Sequence, residues 1–307
     1  MTGGARPPQG RQTARVPELP EVEALSRFLG ERAVGRPVSR VEVGSVAVMK
    51  TFDPSPESLL GLHVEGAERR GKFLVLDVGG FALVVHLARL GWLQWKDELP
   101  AARVRLGGPV AFRVGLDGPG FDLTEGGAKG RGGAATQKRL AVYLVRSPQE
   151  VPGIARLGVD PLDPAFTVEV LAGLLGGSRG QVKGLLTDQS VLAGVGNAYS
   201  DEALWQARLS PYKPAANLTT QEIEQLHDAI VTTLSDAVRR SSGLASSALK
   251  AEKKSGLAVH GRTGQPCPRC GDTVREVSFA DKAFQYCATC QTGGKPLADR
   301  RLSRLLK

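Results

Sequence analysis

The chain has 307 residues, of which 41% are hydrophobic and 23% are charged, and its formal net charge at pH 7 is +9. This length exceeds one average domain and predicts about two domains with a small additional module. No run approaches the roughly 18 apolar residues of a membrane span, and four cysteines are too few for a disulfide scaffold, so membrane and disulfide-rich classes are excluded.

The positive charge is concentrated at one end of the chain. Residues 239–307 carry 14 Lys and Arg against 5 Asp and Glu, which leaves a net charge of zero for all other residues. A basic region of this kind favours a polyanionic partner, because each phosphate that it neutralises releases condensed counterions. The alternative is a basic surface that serves only solubility.

Residues 1–16 are expected to form a disordered extension, because Gly, Pro, Arg and small polar residues leave almost nothing to bury. They also lack the apolar region of a secretory signal. The prediction is therefore a protein that stays in the cytoplasm.

Residues 17–150 are predicted to form an N-terminal domain dominated by β-strands. From Val22 the run VEALSRFLGERAVG has apolar residues at helical spacing, which predicts one amphipathic helix ending at Gly30 or Gly35. Short runs such as KFLVLDVGG and VAFRVGLDG follow and indicate a β-sandwich or barrel. The Gly-rich segment 124–139 carries four basic residues and predicts a flexible basic loop between strands.

Residues 151–258 change to helical periodicity and predict a helical domain. Its last long helix is expected to start at Thr219 or Thr220, because Glu222 follows at the spacing of a capping box. No internal repeat is present.

Residues 259–292 return to strands and turns around two CxxC pairs separated by sixteen residues, and residues 293–307 are expected to form a basic tail. The paired residues are Cys267, Cys270, Cys287 and Cys290. Four thiolates in two tight turns favour a tetrahedral zinc site, and the spacer has the length of one β-hairpin. The site is expected to hold one structural Zn ion, since four sulfur ligands leave no position for water. Two redox-active pairs are the alternative.

The segment PELPEVE at residues 17–23 resembles the start of the formamidopyrimidine-DNA glycosylase and endonuclease VIII family. Further similarity follows in order at RRGKFLVL, HLARLG, GVGNAYSDEAL, CPRCG and YCATCQ, so the resemblance extends over residues 17–292. It implies an α+β multidomain fold: an N-terminal β-sandwich with flanking helices, a helix-two-turn-helix domain and a C-terminal zinc ribbon. It also implies a bifunctional DNA glycosylase and AP lyase of base excision repair that binds damaged double-stranded DNA as a monomer.

The resemblance makes Pro17 the nucleophile. A terminal secondary amine can attack C1′ of the nucleotide, release the base and leave an iminium that permits elimination of the 3′ phosphate. The neighbouring Glu18 carboxylate is expected to act as a general acid. The alternative is that Pro17 and Glu18 only open a helix, since both residue types are common in a first turn.

Five further site residues are inferred from the resemblance. Lys72 corresponds to the lysine that holds phosphate beside the lesion, and His86 belongs to the DNA-binding surface. Asn197 is expected to bind phosphate where two helices meet, with glycines that let the phosphate approach backbone N–H groups. Arg89 stands where many members have a wedge methionine, and its guanidinium can stack in an unstacked base step. Lys282 stands where the family usually has arginine, so the bidentate fork is lost. The alternative for Lys72 and for Lys282 is a solvent-exposed charge without a specific role. The alternative for Asn197 is that it only caps a helix.

Departures from the family pattern restrict the substrate. The paired Arg and Phe of the DPRRFG loop are missing, and the segment between Ser246 and His260 is shorter than the lid of the 8-oxoguanine-specific members. Abasic sites or oxidised pyrimidines are therefore expected to be better substrates than 8-oxoguanine, since they also need the least energy to flip out. The rival functions are a catalytically silent DNA-binding zinc protein and a zinc-ribbon protein that handles RNA or ribosomes.

The family's proline becomes N-terminal when the initiator methionine is removed. Val16 occupies the position of that methionine, and a GTG valine codon can start translation in bacteria. We therefore expect that Met1 is a mistaken start and that the protein acts on nucleoid DNA in a bacterial cytoplasm.

Overall fold

A computed structural model of the chain describes residues 16–89, 91–125, 140–279 and 282–298. The predicted disordered extension, except Val16, lies outside these residues, and so do most of the Gly-rich loop and the end of the basic tail. Within the described ranges, no helix combines the length and apolar character that crossing a bilayer needs.

The first helix, α1 (Leu19–Ala33), begins three residues earlier than the periodicity alone predicts. Pro20 occupies its first turn, where a fixed φ and a missing N–H carry no penalty. The Glu21 carboxylate accepts the backbone N–H of Glu18 at 2.8 Å and so satisfies one of the free amides at the helix start. The C-terminal end of the helix lies between the two predicted positions.

Eight strands form two antiparallel four-stranded sheets, with the orders β1-β6-β7-β5 and β2-β3-β4-β8. The β-sandwich prediction is confirmed. The strands are β1 (Val38–Val43), β2 (Val64–Arg70), β3 (Phe73–Val78), β4 (Phe81–His86), β5 (Gly91–Lys96), β6 (Val110–Leu116), β7 (Gly120–Glu125) and β8 (Ala141–Val145). Apolar residues that alternate along these strands form one hydrophobic core. Val22, Leu25 and Leu29 of α1 are buried in the same core.

The second half of the molecule is helical and has its own core. Its helices are α2 (Val168–Leu175), α3 (Val182–Leu186), α4 (Asn197–Gln206), α5 (Thr220–Ser241) and α6 (Leu249–Gly256). Thr219 caps α5 in the predicted capping box with Glu222. The helix α6 lies within the shortened lid segment, for which the periodicity made no separate helical prediction. Leu19 of α1 belongs to this helical core, so α1 joins the two halves.

The C-terminal module consists of the antiparallel hairpin β9 (Val274–Phe279) and β10 (Lys282–Cys287), followed by the short helix α7 (Ala288–Thr292). The CxxC pairs flank this hairpin, as the spacing predicts. The α+β class with a β-sandwich, a helical domain and a ribbon agrees with the sequence-based expectation.

Candidate active site and zinc ribbon

The residues Pro17 and Glu18 lie at the junction between the sandwich and the helical domain. Both are buried, and the side chain of Glu18 points towards the start of α4. The N–H of Leu19 donates to the carbonyl of Gly194 at 3.0 Å, which fixes the start of α1 against the turn before α4. A side chain at Gly194 would meet Leu19, so glycine is required at this approach.

The Glu18 carboxylate is held by three backbone amides at the N-terminus of α4. It accepts the N–H groups of Gly196 at 2.7 Å, Ala198 at 3.0 Å and Tyr199 at 3.3 Å. A helix N-terminus presents unpaired N–H groups and a positive dipole end, so it suits an anion. These amides were expected to be open to a DNA phosphate, but a carboxylate of the same chain occupies them.

Lys72 lies in the turn between β2 and β3 and reaches the same point. A Cβ placed on Gly196 would lie 2.7 Å from Lys72 Nζ, 2.7 Å from Glu18 Oε1 and 2.5 Å from Glu18 Cδ. Only a hydrogen at this position leaves room for both charged groups. The structure therefore brings Pro17, Glu18 and Lys72 together, although Lys72 is 54 residues from Glu18.

The surroundings of Glu18 determine its protonation. Burial raises the pKa of the carboxyl, but the charges of Lys253 and Lys72 and the hydrogen bond from Ala198 outweigh it, and the net pKa lies below the usual value. Glu18 is therefore ionised at neutral pH. The expected general acid starts as a base and needs to accept a proton before it can donate one.

A second carboxylate, Glu21, lies beside this site. Its oxygens accept hydrogen bonds from the Tyr199 hydroxyl at 2.6 Å and from Lys253 Nζ at 2.8 Å. Desolvation and the nearby charge of Glu21 raise the pKa of Tyr199 well above its ordinary value, so this hydroxyl stays a donor. The candidate site thus contains two carboxylates and two lysines.

Asn197 is the first residue of α4, as expected for a residue where two helical segments meet. Its side-chain Nδ2 donates to the carbonyl of Ala283 in the ribbon hairpin at 2.8 Å. Its Oδ1 is buried without a hydrogen-bond partner among the described residues. The amide thus links the helical domain to the ribbon, and its contact with DNA phosphate stays a prediction.

The other predicted DNA-binding residues lie at the end of β4, in the turn that follows it and at the start of β10. His86 ends β4, and its half-buried ring lies 4.8 Å from that of Phe73, measured between centroids. Arg89 is exposed in the turn after β4, and its role as a wedge stays a prediction. Lys282 opens β10 opposite Phe279, and its side chain falls outside the described part of the structure.

The four cysteines converge as the spacing predicts. Their sulfur atoms all lie within 4.8 Å of one another, with Cys267 and Cys290 at 3.9 Å and Cys270 and Cys287 at 3.4 Å. Sulfurs about 2.3 Å from one tetrahedral ion lie about 3.8 Å apart, so the donor set fits zinc. All four thiols are free of disulfides.

The end of α4 contacts this cluster. The indole N–H of Trp205 donates to Cys267 Sγ at 3.3 Å, and the Arg269 guanidinium stacks 4.1 Å from the centroid of the Trp205 ring system. Burial opposes ionisation of Cys267, but backbone N–H groups of Arg269 and Cys270 and this indole lower its pKa to about 7. Donors aimed at sulfur stabilise a thiolate, which is the form that binds a metal.

Several buried polar residues at this junction were missed by sequence reasoning. Lys183 donates to Asp201, whose other oxygen lies 2.7 Å from His260 Nδ1. Asp201 lies in the quoted motif GVGNAYSDEAL, which was interpreted only through Asn197. Glu21 could have been found as the residue three positions after Glu18. No local sequence motif indicates that Lys253 or His260 lies near the site.

Comparison with known proteins defines the class. Models of the formamidopyrimidine-DNA glycosylase N-terminal domain and H2TH domain match residues 16–118 and 157–248. A zinc finger found in FPG and IleRS matches residues 264–293. The chain belongs to the formamidopyrimidine-DNA glycosylase family, a family of zinc-finger DNA repair glycosylases.

Individual relatives cover most of the molecule. The formamidopyrimidine-DNA glycosylase of Symbiobacterium thermophilum is 36% identical over 300 residues, covering 93% of each chain. An uncharacterized formamidopyrimidine-DNA glycosylase-like protein of Mycobacterium tuberculosis is 62% identical over 151 residues, which span 49% of this chain and 94% of that protein.

Solved structures show the same fold. The Lactococcus lactis enzyme, bound non-covalently to DNA that contains an AP site, superimposes with a TM-score of 0.76 at 27% identity and covers 90% of this chain and 99% of its own. The MutM (Fpg) protein of Thermus thermophilus gives a TM-score of 0.74 at 31% identity, with 91% and 100% coverage.

Proposed function

We propose that the protein is a bifunctional DNA glycosylase and AP lyase of base excision repair, which excises oxidised bases through the amine of Pro17. The convergence of Lys72 with Glu18, the residue bonded to Pro17, at the start of α4 carries this assignment. An amine, an ionised carboxylate and an ammonium group within one site suit imine chemistry on a phosphodiester substrate. Family membership supports it, since the relatives include named glycosylases and a complex with AP-site DNA.

The chemistry assigns a step to each group. The Pro17 nitrogen attacks C1′ as the bond to the base breaks. The proton of the Pro17 nitrogen passes to the Glu18 carboxylate, which then donates it to the departing base. Opening of the C1′–O4′ bond, with a solvent proton taken by O4′, leaves the iminium. Transfer of a C2′ proton to solvent then expels the 3′ phosphate by β-elimination, and water hydrolyses the imine to free Pro17. Lys72 binds the phosphate beside the lesion.

This mechanism requires a free amine at Pro17. When Val16 is attached, the nitrogen belongs to a tertiary amide whose lone pair is delocalised into the carbonyl. We infer that the active form begins at Pro17.

The ribbon has a separate, structural role in this proposal. One zinc ion held by Cys267, Cys270, Cys287 and Cys290 folds the hairpin, and the basic C-terminal quarter binds damaged double-stranded DNA. The protein acts as a monomer in the cytoplasm; light scattering of the DNA-free and DNA-bound forms checks its oligomeric state, and cell fractionation its location.

Borohydride trapping tests the mechanism. Protein that begins at Pro17 is expected to form a covalent complex with abasic DNA after reduction, whereas protein with Met1 verified by mass spectrometry is not. Pro17→Gly retains partial trapping through its primary amine. Equal trapping by the Met1 form excludes Pro17 as the nucleophile. DNA binding without any trapping favours the catalytically silent alternative.

The same assay addresses the lesion. On matched duplexes we expect faster reaction with abasic sites and oxidised pyrimidines than with 8-oxoguanine, because the DPRRFG loop is missing and the lid segment is short. A clear preference for 8-oxoguanine opposite cytosine would contradict this substrate assignment.

A further inference from the structure

Lys253 on α6 is a buried lysine that the proposed mechanism does not use. Only 3% of the residue is exposed, and its ammonium group lies 2.8 Å from Glu21 Oε2 and 3.9 Å from Glu18 Oε1. It also lies 4.8 Å from the centroid of the Tyr199 ring. A lysine almost never occupies such a position unless its charge is compensated, and here two carboxylates compensate it.

The same ammonium group contacts the chain directly at Pro17. Lys253 Nζ donates to the carbonyl oxygen of Val16 at 2.9 Å, and that carbonyl carbon is bonded to the Pro17 nitrogen. In protein that begins at Pro17 this acceptor is absent. The Lys253 ammonium would then face the free amine across the space that the Val16 carbonyl fills here.

The balance of charges around the Pro17 amine explains why its proximity to Lys253 matters for its protonation. Lys253 and Lys72 together offset the negative charges of Glu18 and Glu21. Other titratable groups facing the site are the neutral hydroxyl of Tyr199, His260 on the segment after α6, and Glu252, which pairs with Arg240. Without Lys253, only Lys72 would remain to offset the two carboxylates, so a protonated Pro17 would be stabilised as a second cation and would lose its nucleophilic lone pair.

We propose that Lys253 is a positioning residue that keeps the Pro17 amine unprotonated and directed at the substrate, by occupying the carboxylates that would otherwise bind it as an ammonium ion. This role rests on the proposed function of Pro17. A positive charge a few ångströms away disfavours a second one, so the Lys253 ammonium lowers the pKa of the neighbouring amine. Lys253 does not itself react.

A pH series of single-turnover trapping on preformed abasic DNA tests the role, with all proteins beginning at Pro17. In Lys253→Met the acid limb is expected to move upward by about one pH unit or more, which lowers the trapping rate about tenfold below the midpoint. The alkaline plateau is retained, since there the amine is free in both proteins. Lys253→Arg restores the normal profile, and the matched control Lys50→Met, an exposed lysine in the segment between β1 and β2, leaves it unchanged.

A second measurement needs no variant. The pH dependence of N-terminal modification at Pro17, followed by mass spectrometry of the terminal peptide, should give a midpoint at least one unit below the ordinary α-amino range of about 7.7–8.0. A midpoint within or above that range overturns the role of Lys253, even if Lys253→Met fails to fold.

The remaining outcomes are distinct. A lowered plateau with an unshifted acid limb in Lys253→Met overturns the proposal in favour of a purely structural lysine. Loss of trapping in Lys253→Arg overturns it by making Lys253 the nucleophile. Absence of trapping in the unaltered protein refutes the proposed function itself, and the proposal on Lys253 falls with it.

Discussion

Glu18 depends on a glycine that leaves room for it. The three amides that hold its carboxylate lie at the start of α4, and the missing side chain of Gly196 opens the space that Glu18 and Lys72 share. The backbone of Gly196 is extended, with φ −129° and ψ −158°, a conformation open to any residue. Packing, not backbone strain, therefore explains this glycine.

Gly196→Ala is expected to displace Glu18 from its amides, because the new Cβ would lie 2.5 Å from the carboxyl carbon. Base excision should slow by about 100-fold, the usual contribution of a positioned acid or base. Cleavage of a preformed abasic site should suffer less, since no base departs. Single-turnover rates on both substrates check this, with Gly173→Ala in open space on α2 as the control. Equal losses on the two substrates would show that Glu18 has no special role in base departure.

At the scale of elements, α4 links the candidate active site to the ribbon. Its N-terminus binds Glu18, its first residue bonds Ala283, and Trp205 near its end bonds Cys267. The carboxylate of Glu202 accepts three N–H groups from residues 258–260, which lead into the ribbon. One helix thus orients two separate modules.

Removal of zinc is expected to unfold the ribbon and abolish DNA binding, because ligation energy is folding energy in such small modules. Cys287→Ser should have the same effect, since it removes a buried ligand at the end of β10. Circular dichroism and fluorescence anisotropy with labelled abasic DNA measure the two consequences. Restoration by added Zn²⁺ is the control for chelation. Undiminished DNA affinity in demonstrably metal-free protein would exclude a structural role for the metal.

For the whole molecule, the charge distribution predicts how DNA is held. The net charge of +9 comes from residues 239–307, which include α6 and the ribbon, while Lys72 adds a cation from the sandwich. Cations from both halves of the protein suit a polyanion bound between them.

DNA affinity is therefore expected to fall steeply with salt. A slope of about −4 or steeper in log affinity against log salt would correspond to several neutralised phosphates at about 0.9 each. Lys282→Ala should reduce the slope by about one unit if this lysine contacts phosphate. Anisotropy titrations between low and physiological salt measure both. A slope near zero would contradict an electrostatic mode of binding.

Features that depend on neighbouring residues could be predicted from the sequence. Hydrophobic periodicity predicted the helices and strands, and the two CxxC pairs predicted the ribbon, because both signals depend on neighbours within a few residues or one hairpin. PELPEVE pointed to Pro17 and Glu18 only through its resemblance to the family. The predicted start of α1 was three residues late because its capping box is formed by Glu18 and Glu21, polar residues that hydrophobic periodicity does not detect.

The surroundings of Glu18 could not be predicted from the sequence. Gly196 and Lys253 follow it by 178 and 235 residues, and no periodicity relates such distant positions. Whether a buried carboxyl is an acid or a base depends on the balance between desolvation and the nearest charges and amides. That balance exists only once α1, α4 and α6 have packed together, which is why the ionised state of Glu18 and the place of Lys253 emerged from the fold.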